Sequence, residues 1–302
     1  MGIQAEKRAR VIEAMRAWGG EVVEPAYTGG ISTTRLIEGS EPQGMLPEAR
    51  SGALQRALSA RPLVRFCEAY DAQSASIVDT AKEREREQVR EWDGIWMALP
   101  TERAARGLSA DASIDLTLRR QTLEEIMRIT MKPVAVEVGA LPTMEALLSA
   151  VKALERHGAA VCVVPAQPTP TMQRDFLRAW HDQRLSSSAS VWIDLAPAGG
   201  LVSLASVKAA LAAGAEGFFL RTAQVGGRAL ARLSRAYARL GAAVPLLVAV
   251  QDPAAYPEAH LTALGIRAVA YEGCLVPVVS EALKEASARL LFPSGRRTIS
   301  SL

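Results

Sequence analysis

With 302 residues, 49% of them hydrophobic and 22% charged, the chain can bury a large α/β core and lies outside the disordered and fibrous classes. Thirty-five Lys and Arg stand against 32 Asp and Glu, a net charge of +3, and aromatic residues make up 5%. Such a balance supplies neither a phosphate-tracking surface nor a base-stacking platform, so no nucleic-acid partner is expected.

The first residues, MGIQAEKRAR, contain no apolar h-region, and no run approaches the roughly 18 apolar residues a bilayer span needs. A cytoplasmic protein without a membrane partner is the expectation. Residues 5–17 carry apolar positions at helical spacing and stop at Gly19-Gly20. Gly, Pro, Ser and Thr dominate from there through Pro47, which reads as an N-terminal helical arm over 1–47 outside the main domain. A helix near 48–59 leads into the body of the chain.

From residue 63 onward, short apolar or β-branched runs alternate with helical ones. The runs are LVRFCEA (63–69), GIWMAL (94–99), PVAVEV (133–138), AVCVV (160–164), SVWIDL (190–195), GFFL (217–220), PLLVAV (245–250) and AVAYE (268–272). Helices are expected near 71–90, 120–130, 143–157, 171–184, 203–213, 227–241, 257–264 and 275–291, with KEREREQ (82–88) as the solvated face of the first. Near-continuous apolar strands imply burial on both faces. Eight βα units then predict an α/β fold, a (β/α)8 TIM barrel over 48–292, followed by a tail over 293–302. An open doubly wound sheet is the alternative, but no GxGxxG follows the first strand. Cys67, Cys162 and Cys274 are odd in number and far apart, giving neither a disulfide framework nor metal-ligand spacing. Cys67 and Cys162 lie inside apolar runs and read as buried small hydrophobes.

A barrel of this kind builds its site from the C-terminal ends of its strands. Those positions hold Tyr70 and Asp71, Trp96 with Ala98, Glu137 and Gly139, Pro165 and Gln167, Asp194, Arg221 and Thr222, Gln251 and Asp252, and Glu272 with Cys274. Several acids and one arginine suit a small anionic substrate and proton transfer. His157, His181 and His260 fall on helices or helix ends, so an imidazole base is not expected. Each candidate has a structural alternative. Asp71 opens DAQSASIV as a helix cap would, and Trp96 is apolar enough for the core. Glu137 ends a buried strand, where an acid is costly unless paired, metal-bound or catalytic. Asp194 and Arg221 could neutralise each other.

These residues carry a resemblance. EAYDAQSASIV (68–78) resembles the segment at the first strand and helix of the phosphoenolpyruvate mutase and isocitrate lyase superfamily. WDGIWMALPTERAARGLSAD (92–111) resembles its second strand and following loop. The resemblance places Trp96 on an aromatic beside the substrate and Asp111 on an acid of the gating loop, and it implies a barrel that binds a Mg2+-chelated 2-oxo or enol carboxylate. It further implies cleavage or rearrangement of a C–C or C–P bond, no organic cofactor, and a homodimer or homotetramer that exchanges its last helix between subunits.

The sequence departs from that pattern on the chemistry. Where the superfamily has D-x-D-T-G-Y-G, this chain reads EVGALPT (137–143), so Glu137 replaces the first metal acid and Gly139 the second. An E-D-K segment becomes Val164-Pro165-Ala166, WIDLAP (192–197) lacks the usual arginine, a histidine of some members becomes Arg221, and the lyases' catalytic-Cys lid motif is absent. A single carboxylate with substrate oxygens can hold Mg2+, but lost supporting acids weaken it, so Glu137 is at most a weak metal ligand. Two readings stay open. One is an enzyme acting on a small carboxylate or phosphorylated 2-oxo acid, with Arg221 as anion clamp, Tyr70, Asp71, Trp96 and Ala98 lining the substrate, and Asp111, Glu137 and Asp194 catalytic. The other is a barrel that has lost catalysis and serves as a binding or assembly module.

Overall fold

The eight apolar runs form eight short parallel strands that close into a barrel. In the computed structural model, which describes residues 12–19, 47–85, 88–196, 204–241 and 244–291, these are β1 (Val64–Glu68), β4 (Gly94–Met97), β5 (Val134–Glu137), β6 (Val161–Pro165), β7 (Ser190–Asp194), β8 (Phe218–Arg221), β9 (Leu246–Val250) and β10 (Ala268–Tyr271). Sequential neighbours pair in parallel from β4 to β10. The ring closes where β1 lies between β10, with Val64 opposite Ala268, and β4, with Phe66 opposite Gly94. The intervening helices are α1 (Pro47–Ala60), α2 (Ala72–Thr80), α3 (Leu99–Ala105), α4 (Leu116–Ile129), α5 (Met144–Arg156), α6 (Pro170–Gln183), α7 (Leu204–Ala212), α8 (Thr222–Arg239), α9 (Glu258–Ala263) and α10 (Leu275–Leu291). The open-sheet alternative is excluded by the closure.

The continuous apolar pattern follows from burial on both sides of each strand. Outward-facing residues such as Ile95, Val136 and Ile193 pack against the helices. The inward-facing set fills the barrel itself: Phe66, Trp96, Trp192 and Phe219 occupy the interior, and Ala135, Ala249, Ala268 and Ala270 give them room. Leu54 and Leu58 of α1 join this interior. Gln55 Nε2 reaches Ser190 Oγ at the start of β7, which sets α1 under the N-terminal ends of the strands. Side-chain caps start several helices, Asp115 for α4, Thr143 for α5 and Thr169 for α6.

One expectation fails between 71 and 90. The helix ends at Thr80, and Lys82–Glu85 pairs antiparallel with Gln88–Glu91 as a hairpin, β2 and β3. Alternating charge satisfies a cross-strand register as well as a helix face, and here Lys82 stands opposite Glu91 and Glu83 opposite Arg90. The hairpin leads to Trp92, which meets Tyr271 edge-on at 5.5 Å. Arg90 and Arg65 converge on Glu258 of α9 at 2.6 and 2.8 Å.

The last helix is the outlier. Of the seventeen residues of α10, Val276 alone is buried. Of the N-terminal arm, 12–17 are helical and Trp18 is exposed. The rest of the arm, and the tail over 293–302, lie outside the described residues. Among the described residues no helix is long and apolar enough to cross a membrane.

Candidate functional site at the barrel mouth

Parallel strands in a closed barrel bring all their C-terminal residues to one rim. Glu137 ends β5, Asp194 ends β7, Arg221 ends β8 and Glu272 follows β10. Arg221 is the hub. Its Nε donates to Glu272 Oε1, and its Nη2 donates to Glu272 Oε2 at 3.1 Å and to Glu137 Oε2 at 2.9 Å. The guanidinium also lies over the Phe219 ring, 5.1 Å from its centre. The side chains of Arg221, Glu272 and Glu137 are 9%, 1% and 12% exposed, so the pairing is desolvated. Burial alone would lower the Arg221 pKa, but Glu137 and Glu272 hold it above its usual value. Arg221 thus pairs with Glu137 and Glu272 rather than with Asp194.

Asp194 keeps a different environment. Its Oδ1 accepts the Ala196 N–H at 2.9 Å. Burial, reinforced by the nearby charges of Glu137 and Glu272, pushes its carboxyl up to about 6, against the opposing pull of the Ala196 hydrogen bond and Arg221.

A second buried network fixes the segment after β4 onto the same rim. Leu99 N donates to Glu137 Oε2 at 2.9 Å, and Arg119 Nη1 donates to the Glu137 carbonyl at 2.5 Å. The remaining Arg119 nitrogens are spent on Glu102, with Nη2 to Oε1 at 2.7 Å. Glu68, at the end of β1, is fully buried and accepts four hydrogen bonds, from Thr101 Oγ1 at 2.5 Å and from the N–H groups of Gly273, Cys274 and Leu275 at 2.6, 2.7 and 2.5 Å. Gly273 has φ 67°, the left-handed conformation that curls these three N–H groups into a nest.

The expected site residues divide into those the fold gathers and those it does not. Trp96 is buried inside the barrel, its Nε1 donates to Glu272 Oε2 at 3.0 Å, and its ring packs on Phe219 at 5.3 Å. It is a core residue and also a member of the polar cluster. Ala98 is buried and precedes α3 as its N-cap. Asp71 caps α2 in a capping box with Ser74, the structural alternative raised above, and Tyr70 is half-buried beside it. Asp111 is exposed on the loop between α3 and α4, where it accepts from Ser109 Oγ at 2.7 Å. Cys67 and Cys162 are buried, and burial raises both thiols to about 12. Sequence reasoning missed Glu68, Glu102 and Arg119. A crevice lined by Gln167, Gln173, Val207 and Phe218 lies between α6 and α7, away from the barrel axis.

The donors at the mouth do not fit a divalent metal. Glu137 Oε2 is held by a backbone N–H and by a guanidinium 2.9 Å away, which would repel a cation. The position of the second metal acid is Gly139, with φ 81° and Leu99 Cδ1 2.6 Å from where a Cβ would stand. An acidic side chain at this position would be strained in its backbone and would clash with Leu99. Among the described residues no three His, Cys, Asp or Glu side chains gather as a metal-binding group.

No protein-family model and no curated protein matches the sequence. Solved structures do share its fold. A phosphonopyruvate hydrolase crystallised with oxalate and Mg2+ is 19% identical, with a TM-score of 0.70 over 83% of this chain and 90% of that one. A phosphoenolpyruvate phosphomutase from Streptomyces platensis subsp. rosaceus is 17% identical, with a TM-score of 0.68 over 80% and 87% of the two chains. An oxaloacetate acetylhydrolase in complex with its product oxalate is 19% identical, with a TM-score of 0.67 over 84% and 91%. All three belong to the phosphoenolpyruvate mutase and isocitrate lyase superfamily, so the resemblance read from residues 68–78 and 92–111 holds at the level of the fold.

Proposed function

We propose that the barrel mouth is the catalytic site of a divergent enzyme of the phosphoenolpyruvate mutase and isocitrate lyase type, acting on a small carboxylate and breaking or rearranging a C–C bond beside it. One observation carries this reading. Glu272 and Glu137 engage Nε and Nη2 of Arg221, while its Nη1 makes no hydrogen bond with any described residue. A rigidly held guanidinium with one unspent nitrogen offers an incoming carboxylate oxygen a charge-assisted hydrogen bond. Oxalate in two of the solved neighbours, one of them with Mg2+, supports the carboxylate as the group that is recognised.

Asp194 is the proton-transfer group in this reading, because a carboxyl raised to about 6 exchanges a proton near neutrality at small cost. Glu137 orients Arg221 and joins the site to α3. Tyr70 stands at the edge of the mouth, Trp96 and Ala98 support it from within the barrel, and Asp71 serves chiefly as a cap. Asp111 contributes only through movement of its loop. No step is assigned to Mg2+, whose ligands the mouth does not assemble.

A second reading, a barrel that has lost catalysis, has its own support: the charge of Arg221 is already matched by two carboxylates. Consumption of pyruvate, oxaloacetate and related 2-oxo acids, followed by NMR, separates the two. The enzyme reading expects turnover that survives excess chelator, is lost in Asp194→Asn and is weakened in Arg221→Gln. Neither turnover nor binding across such a panel would leave the assembly reading. A homodimer or homotetramer is proposed on the strength of α10 and is taken up in the Discussion.

A further inference from the structure

We propose, building on the carboxylate-binding reading above, that the mouth selects a singly charged carboxylate over dianionic ligands, phosphates and phosphonates included, and that Glu137 sets this limit. Three observations lead there. Arg221 is the sole cationic residue in the eight strand-end segments of the sequence, and it faces Glu137, Asp194 and Glu272. The other buried arginine among the described residues, Arg119, has every side-chain nitrogen committed to Glu102 or the Glu137 carbonyl. A second negative charge on a ligand would therefore find no second cation among the described strand-end residues, and would meet carboxylates in a desolvated rim where repulsion is weakly screened.

The third observation concerns the place where a barrel ordinarily takes phosphate, the loops after its last strands and the helix N-terminus that follows. Here that place is the nest of Gly273, Cys274 and Leu275 at the start of α10, and its three N–H groups already hold the Glu68 carboxylate at 2.5–2.7 Å. Glu68 is fully buried and receives a fourth bond from Thr101. The chain's own acid fills the seat, and no anion can enter without expelling it.

Of the acids at the rim, Glu137 is the one whose charge can be removed with least disturbance. Glu272 has both oxygens engaged by Arg221 and Trp96, and Glu68 is sealed in the nest. Glu137 is the more exposed partner of Arg221, and its Oε1 has no hydrogen-bond partner among the described residues. It acts as a specificity-determining residue: its carboxylate occupies Nη2 and leaves Nη1 alone for a ligand.

The test is calorimetric titration of the full chain at pH 8 with pyruvate, oxalate, inorganic phosphate and phosphonoacetate, with wild type and Glu137→Gln compared. Wild type is expected to bind pyruvate at least tenfold more tightly than any of the dianions. Glu137→Gln is expected to narrow the wild-type preference for pyruvate over oxalate at least tenfold, whatever its effect on the absolute affinities, with circular dichroism reporting its fold. Oxalate or phosphate binding as tight as pyruvate in wild type would overturn the charge limit and leave the carboxylate reading standing. Binding of none of the four would overturn that reading itself. An unfolded Glu137→Gln leaves the wild-type comparison decisive, and a folded variant with an unchanged preference removes Glu137 from the role.

Discussion

Arg221 and Glu272 meet in a two-point contact across the barrel rim, Nε to Oε1 and Nη2 to Oε2, with Trp96 Nε1 closing the carboxylate from its other side. Both side chains are nearly water-free, so neither can exchange its partner for solvent. Arg221→Met removes the positive charge and leaves Glu272 and Glu137 buried without compensation. Breaking a buried pair in this way costs about 3–5 kcal/mol. The double variant Arg221→Met with Glu272→Gln removes both charges, and chemical denaturation should return at least half of the loss. A double variant as unstable as the single one would show that the cost comes from packing around Phe219.

The Asp194 carboxyl makes stability depend on pH with a definite sign. Its folded pKa of about 6 stands above the ordinary carboxylate value, so between roughly pH 4 and 6 the folded protein binds more protons at this site than the unfolded chain. Its contribution to stability therefore falls as pH rises through that window, by at most about 3 kcal/mol. Asp194→Asn should unfold at higher denaturant than wild type at pH 7.5 and show no such advantage at pH 4. In catalysis the same group predicts a rate that rises with pH through about 6 if it acts as base, and a flat profile in the Asn variant.

How much of this was legible in the sequence depends on the range of the interaction. VAVE, SVWID and LLVAV announce buried parallel strands because both faces of each are covered, a property a strand carries by itself. The strand-end rule then placed Glu137, Asp194, Arg221 and Glu272 on one rim. The pairing was not readable, because Arg221 reaches past β7 and β6 to Glu137 instead of to its neighbour Asp194. Lys82–Glu91 was misread because charge alternation fits a hairpin and a helix alike. Glu68 closes the apolar run VRFCE just as Glu137 closes VAVE, and that parallel was the available signal. Three of its four partners are backbone groups some 205 residues away, and backbone N–H groups leave no trace in a sequence.

The nest around Glu68 gives a stability prediction with a built-in control. Glu68→Ala strands the buried Thr101 hydroxyl and three backbone N–H groups at the edge of the core. Each unsatisfied group costs roughly 1–3 kcal/mol, so the variant should be among the most destabilised single substitutions in the protein. If the nest is an anion seat, added formate or acetate should raise the melting temperature of Glu68→Ala in a saturable manner and leave wild type unmoved. Equal response of the two proteins to these salts would count against the nest. Loss of Glu68→Ala to aggregation would move the comparison to Glu68→Gln, which keeps the volume and lacks the charge.

The last helix makes the remaining prediction. An isolated helix of seventeen residues is marginal in water, and most helical stability in proteins comes from packing an apolar face. In α10 the face is present and, among the described residues, most of it is uncovered: Leu283 is 65% exposed and Leu290 79%, with Val278, Val279 and Leu291 open beside them. Its first turn is pinned to the rim by Glu68, so the helix is anchored at one end and projects along the rest of its length. Residues Val279, Leu283 and Leu290 recur at spacings that keep them on one side, which is the pattern of a helix that packs against a neighbour. A second copy of the chain is the simplest occupant, since two such helices can cover each other's barrels under twofold symmetry and most soluble assemblies are symmetric. Light scattering at micromolar concentration should therefore give twice or four times the 32.3 kDa of one chain. Leu283→Asp combined with Leu290→Asp should shift that mass toward one chain and lower the melting temperature as well. A wild type that runs as a monomer would overturn the assembly, and a double variant with unchanged mass would place the interface elsewhere.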